Sequence, residues 1–183
     1  MRFLLIKKDL TYISELVDII KSLISKKVNI EEKNSYIVIY HDYENILDIN
    51  KTISSFQDNL MINILAYNSC LLNDDTIDKE MNFAIDNLCD KRNGIYDLKM
   101  LLLDNNKINK KEVLDMILLS SGIDEEFIKG FVEVNLNASK ASSIMHYHRN
   151  TLNYKLDKLK EKTSFDLKEF KDAYILYSLI EKK

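Results

Sequence analysis

Hydrophobic residues recur along this chain with two different periods, and the change from one to the other divides it. RFLLIK (2–7) is a compact apolar run and predicts a first strand. LTYISELVDIIKSLIS (10–25) places Leu10, Ile13, Leu16, Val17, Ile20, Leu23 and Ile24 at helical spacing, so it predicts an amphipathic helix. VNIEE and SYIVIYH, separated by Lys33 and Asn34, predict a hairpin ending near His41. Residues 44–58 return to helical periodicity through Ile46, Leu47, Ile49, Ile53 and Phe56, and MINILAY (61–67) is strand-like again. The predicted order is β-α-β-β-α-β, which suits an antiparallel sheet with helices packed on one face.

Beyond residue 75 the strand signal disappears. Ile77, Met81, Ala84, Ile85 and Leu88 predict a helix over 76–90, and the charged stretch Asp90-Lys91-Arg92-Asn93-Gly94 is the best linker candidate. Helices are expected at Tyr96–Leu103, Lys110–Leu119 and Asp124–Val134, and Leu167–Ile180 closes the chain with a broad apolar surface. The expected class is α+β: an N-terminal antiparallel-sheet (βαββαβ-like) domain over 1–92, then an all-α domain over 93–183.

Within that all-α half, NASKASSIMHYHRNTLNYKLDKLKEKT (137–163) reads as two short helices joined by a tight turn, a helix-turn-helix. Ala141, Ile144 and Met145, then Leu152, Leu156 and Leu159, give each helix one inward face. Ala141 and Ser142 are small, as needed where the first helix crosses closely over the second. Left outward on the second, expected at about 149–162, are Arg149, Asn150, Thr151, Asn153, Tyr154, Lys155 and Lys158, with His148 just ahead. Donors at a helix N-terminus with Lys along its flank suit a major groove: Arg149 offers a bidentate donor to guanine or phosphate, and Asn150 and Thr151 reach base edges. Lys155 and Lys158 are the expected phosphate clamps.

The run HYHRNTLNYKLDKL, followed by EKTSFDL and the apolar DAYILYSLI, resembles the C-terminal helix-turn-helix of PucR/CdaR-type bacterial transcriptional regulators. His148-Arg149-Asn150-Thr151-Leu152, Tyr154, Leu156 and Thr163–Leu167 carry the resemblance, with Asn137 and Ser139 opening the preceding helix. The likeness is close over the last quarter of the chain and looser back to about residue 95. A weaker one links the same unit to the Fis-type DNA-binding fold. The sequence departs from the PucR pattern at Asn153, where the family usually carries Arg, and at Ser142, where it usually carries Ala. Such regulators often place a GGDEF-like domain ahead of the DNA-binding end, and the N-terminal topology is similar to one. The hairpin that would bear the signature reads Glu31-Glu32-Lys33-Asn34 and lacks the Gly-Gly pair, so the resemblance implies a degenerate, non-catalytic domain that senses a ligand, mediates dimerisation or supports the fold.

Composition changes this picture in few places. The net charge of −3 conceals an asymmetry: residues 137–183 carry ten Lys/Arg against six acids, +4, and the remainder carries −7. A basic end on an acidic body fits DNA contacts confined to one end. With three glycines in all, a phosphate-cradling loop is not expected, nor is a nucleotide-hydrolysing enzyme. Cys70 and Cys89 are too few and too far apart for a disulfide framework or metal motif and are expected to be buried thiols. His146 and His148 form an H-x-H with no third ligand near by, so no metal site is expected. Glu31-Glu32 and Asp74-Asp75 are read as solvated turns. No run approaches the roughly 18 apolar residues of a membrane span, so a cytoplasmic protein without membrane partners is expected.

The sequence therefore predicts a non-enzymatic, cofactor-free transcriptional regulator. It would bind double-stranded DNA as a homodimer, since one short helix reads too few base pairs, and would respond to a small-molecule effector. The alternative is a ligand-sensing or protein-interaction module whose helix-turn-helix no longer binds DNA.

Overall fold

The computed structural model describes residues 1–8, 11–24, 28–43, 45–104 and 108–181. Strand β1 (Arg2–Lys7) is followed by helix α1 (Ile13–Ile24), the hairpin β2 (Asn29–Lys33) and β3 (Tyr36–His41), helix α2 (Ile46–Leu60) and strand β4 (Leu65–Asn68). The predicted βαββαβ order is therefore present. Positions 10 and 25, the ends of the first predicted helix, lie outside the described residues.

The sheet order is β2-β3-β1-β4-β5, with antiparallel pairing throughout except for parallel β4 and β5. Strand β1 occupies the centre because it is apolar on both faces, Phe3 and Leu5 on one, Leu4 and Ile6 on the other, all buried. Strand β2 lies at an edge and carries Glu31, Glu32 and Lys33, charges that discourage further pairing. Leu4, Ile6, Ile39 and Ala66 form one core with Leu16, Val17, Ile20 and Ile24 of α1 and Ile49 and Ile53 of α2. On the opposite face the Phe3 and Tyr67 rings stack at 5.9 Å.

The fifth strand departs from expectation. Helix α3 (Asp74–Leu88) ends ahead of the expected linker, and β5 (Gly94–Tyr96) then pairs with β4 in register Ala66↔Ile95, making the sheet mixed. Residues 96–97 accordingly precede the next helix, α4 (Leu98–Asp104), instead of opening it. Pairing supplied by a distant strand outweighs local preference over so short a segment. Helices α5 (Lys110–Ser121), α6 (Glu125–Glu133), α7 (Ala138–Ile144), α8 (Arg149–Thr163) and α9 (Phe170–Glu181) complete an all-helical C-terminal region. The class is α+β.

Two compact units result: Met1–Ser69 with Met81–Leu98, and Cys70–Glu80 with Lys99–Lys183. In the second, α8 packs on α5 and α7, and α9 on α5 and α6. A polar knot holds α9 in place: buried Asp172 accepts from Lys99 Nζ at 2.6 Å and from the Asp166 N–H at 2.8 Å. Fully buried Glu80 accepts from the Cys70 and Leu71 N–H groups at 2.9 and 3.3 Å. Cys70 is buried, but Cys89 is exposed just past the end of α3, its thiol donating to the Asp86 carbonyl at 3.0 Å, which corrects the expectation of two buried thiols. The acid pairs lie in regular structure and not in the expected turns: Glu31 and Glu32 are on β2, where Tyr40 donates to Glu31 and Lys8 bridges Glu32, and Asp74 and Asp75 sit in the first turn of α3, where acids suit the helix dipole. No described helix is long and apolar enough to cross a membrane.

Candidate nucleic-acid interface

Each of the helices α5 to α8 is started by a side chain that accepts from the orphan N–H groups of its first turn: Asn109, Asp124, Asn137 and His148. Asn137 Oδ1 takes the Lys140 N–H at 3.0 Å, which begins α7 where the sequence placed it. His148 Nδ1 takes the Asn150 N–H at 3.3 Å and so fixes the first turn of α8.

The turn between these helices is tied by a reciprocal pair. Ser142 Oγ donates to the Tyr147 carbonyl at 2.6 Å, and the Tyr147 N–H returns to the Ser142 carbonyl at 3.1 Å. Ser142, where the PucR pattern that the sequence resembles usually has Ala, thus has a structural use. His146 takes a left-handed conformation, φ 56°, to reverse the chain. A Cβ added at Gly130 would lie 3.1 Å from the terminal methyl of Met145, so glycine there lets α6 approach the turn closely. Ala141 is buried, but Ile144 is 64% exposed, a correction to its expected inward place. Helix α7 is only seven residues long, and Ala141 with Met145, four apart, already fill its inward stripe.

Leu152, Leu156, Leu159 and Thr163 face inward on α8. Arg149, Asn150, Thr151 and Tyr154 are exposed, Tyr154 at 67%, and among the described residues none of their side chains makes a hydrogen bond or ion pair. Asn153 is half-buried. The two lysines of the expected site point elsewhere. Lys155 Nζ lies 5.3 Å from the Phe127 ring centre, 5.4 Å from that of Tyr147 and 4.0 Å from Asp124 Oδ2. Those rings meet edge to face at 5.8 Å, so the ammonium sits in a two-ring aromatic seat. Lys158 Nζ reaches Gly122, the left-handed residue that ends α5, where a Cβ would come within 2.9 Å of it. A cation there faces the negative end of the α5 dipole.

Charge on the remainder of α8 is largely neutralised. Lys160 bonds Asp166 at 2.7 Å, Lys162 pairs with Glu161 at 3.2 Å, and Lys168 pairs with Asp157 at 3.3 Å. The Asp166 hydrogen bond and charge raise the Lys160 pKa. Partial burial pushes Asp166 up, but Lys160 and the Lys168 N–H outweigh it and hold its carboxyl below the usual range. Lys140 is exposed on α7, next to the turn, and has no acidic partner among the described residues; no sequence pattern singles it out, because it lies on the helix not expected to enter the groove. Free donors thus concentrate on the first turn of α8, with Lys140 as the unpaired cation of α7.

Residues 126–181 match the PucR C-terminal helix-turn-helix domain. Uncharacterized protein YxkF of Bacillus subtilis (strain 168) is 36% identical over 76 residues, 37% of this chain and 26% of that protein, so the chain spans about a quarter of the length of this curated relative. A solved structure, a regulator of polyketide synthase expression from Bifidobacterium adolescentis, aligns with 98% of this chain and 78% of its own, at 12% identity and a TM-score of 0.43.

Proposed function

We propose, taking residues 126–181 as a PucR-type helix-turn-helix domain, that the protein is a sequence-specific DNA-binding transcriptional regulator acting in the cytoplasm. The observation that carries this reading is the N-terminal end of α8: the side chains of Arg149, Asn150, Thr151 and Tyr154 stand in solvent without partners among the described residues, while the opposite face is buried. Polar side chains held on a rigid helix with unspent donors suit base edges. In this reading Arg149 takes guanine or phosphate, Asn150 takes adenine, and Thr151 and Tyr154 contact thymine methyl groups or the backbone. His148 orients the turn, Asn153 sits at the margin of the contact, and Lys140 reaches phosphate from α7, the helix that crosses the backbone in such motifs. Lys155 and Lys158, seated on Phe127 and Tyr147 and at Gly122, fix the attitude of α8. One such helix reads a few base pairs, so a homodimer on a two-fold site is part of the proposal.

The N-terminal unit is taken as a non-catalytic domain of degenerate GGDEF-like type that receives an effector or supports the fold. A second reading, an interaction module that no longer binds DNA, draws on Asp157 and Glu161, acids exposed along the C-terminal half of α8. Selection from pooled genomic fragments at low and moderate salt separates the two. Reproducible enrichment of one sequence, lost in Arg149→Ala, is the expected result; no enrichment even at low salt supports the second reading.

A further inference from the structure

Among the described residues, three buried side-chain atoms lack a hydrogen-bond partner: Arg2 Nη1, His41 Nε2 and Asn68 Oδ1. They lie together. Arg2 faces His41 across β1 and β3, and Leu4, the next residue on that face of β1, faces Asn68 across β4. This is the face that α2 covers, and α2 contributes Asn50, whose Oδ1 accepts from Asn68 Nδ2 at 2.5 Å. His41 and Asn68 are each 3% exposed.

The unpaired atoms have definite polarity. His41 Nδ1 accepts the Tyr43 N–H at 3.2 Å, so in the neutral ring the proton is on Nε2, a donor. Arg2 supplies further donors. Asn68, with its amide nitrogen committed to Asn50, presents an acceptor. Burial, and after it the charge of Arg2, bring the His41 pKa down to about 4, so at neutral pH histidine adds no charge here. Among the described residues the guanidinium has no ion pair; Asp42, near by, is largely exposed and lies 3.7 Å from the Met1 amine. Water would satisfy the three hydrogen bonds but would leave that partly buried charge uncompensated.

We propose that this end of the sheet binds a small oxyanion that also carries an O–H, the chemistry shared by hydrogen phosphate and 2-hydroxy carboxylates. Arg2 and His41 Nε2–H donate to its oxygens, and Asn68 Oδ1 accepts from its hydroxyl. Such a ligand matches donors to acceptors and supplies the missing counter-charge. Its seat between β1, β3, β4 and the first half of α2 ties four elements of the N-terminal unit, as an effector site needs.

The test is an NMR titration of the 15N-labelled full chain, following histidine ring nitrogens, with His41 assigned through His41→Gln. Phosphate, glycolate and chloride are added separately at matched ionic strength. The expected result is a saturable shift of His41 Nε2, with its pKa rising towards the ordinary value, for phosphate, glycolate or both, and none for chloride. Whichever anion binds identifies the source. Arg2→Met is expected to weaken binding at least tenfold, the order of one charge-assisted hydrogen bond lost, and Arg2→Lys to weaken it less. Asn68→Leu is expected to favour acetate, which lacks the hydroxyl, over glycolate. No His41 shift with either oxyanion, or an equal shift with chloride, overturns the proposal. The wild-type titration decides this even where a variant fails to fold.

Discussion

Lys155→Met separates two roles for the same cation, support for the fold and contact with phosphate. The substitution keeps most of the side-chain stem and removes the charge from between Phe127, at 5.3 Å, and Tyr147, at 5.4 Å. The Lys155 side chain is 23% exposed, so each ring is worth about 1 kcal/mol, between the surface and desolvated limits of a cation–π contact. Asp124, 60% exposed and 4.0 Å away, adds less than about 0.5 kcal/mol. The thioether recovers about 0.5–1 kcal/mol through its own contact with the rings. The net loss is about 1–2 kcal/mol, or about 2–8 °C in the melting midpoint of a chain this long. Thermal melts followed by circular dichroism measure it, and the slope of DNA affinity against salt is measured on the same samples. A structural lysine lowers the midpoint and leaves the slope unchanged. A phosphate clamp does the reverse, with an unchanged midpoint and a slope reduced by about 0.9. That second pattern would refute the aromatic seat.

Other perturbations have equally definite outcomes. His41 is neutral in the fold, with a pKa of about 4 against 6.5 when unfolded, so the unfolded chain binds the extra proton between those values. Its contribution is complete above pH 6.5 and falls by about 3 kcal/mol as the pH drops to about 4; His41→Gln should flatten urea-melt stability over that window in chloride buffer, and an unchanged pH dependence would count against the burial. Ser164 ends α8 at φ 62° with no side-chain hydrogen bond among the described residues, so Ser164→Gly should raise stability by about 0.5–1 kcal/mol in the same melts. Asp172→Asn leaves the Lys99 ammonium without its buried partner and should cost about 3 kcal/mol. Lys99→Met in that background should restore part of it, and strict additivity would show that the pair is not coupled.

The elements legible in the sequence are those whose period and neighbours agree. Strand β1 is apolar on both faces and stands at the centre; α1 carries a clean stripe and buries it; α8 begins at Arg149 because His148 caps it. Strand β5 was not legible, since Gly94, Ile95 and Tyr96 are a strand only by lying beside β4. Periodicity likewise shows where a Cα points, not where a long stem ends. The seats of Lys155 and Lys158 depend on Phe127, Tyr147 and Gly122, which no local pattern connects to α8. Ile144 looked like core because a seven-residue helix has room for fewer inward positions than its apolar residues suggest. Arg2, His41 and Asn68 come to one face and end of the sheet only through strand register.

The account rests most heavily on the free donors of the first turn of α8, and one titration addresses them directly. Fluorescence anisotropy compares the wild-type protein and Arg149→Ala on a duplex selected by the wild type and on a scrambled duplex, at moderate salt. The wild type is predicted to prefer the selected duplex by about a thousandfold or more. Arg149→Ala, at unchanged melting temperature, is predicted to bind it no better than the scrambled duplex. Equal wild-type affinity for both duplexes, or an Arg149→Ala protein that keeps the full preference, would contradict the account.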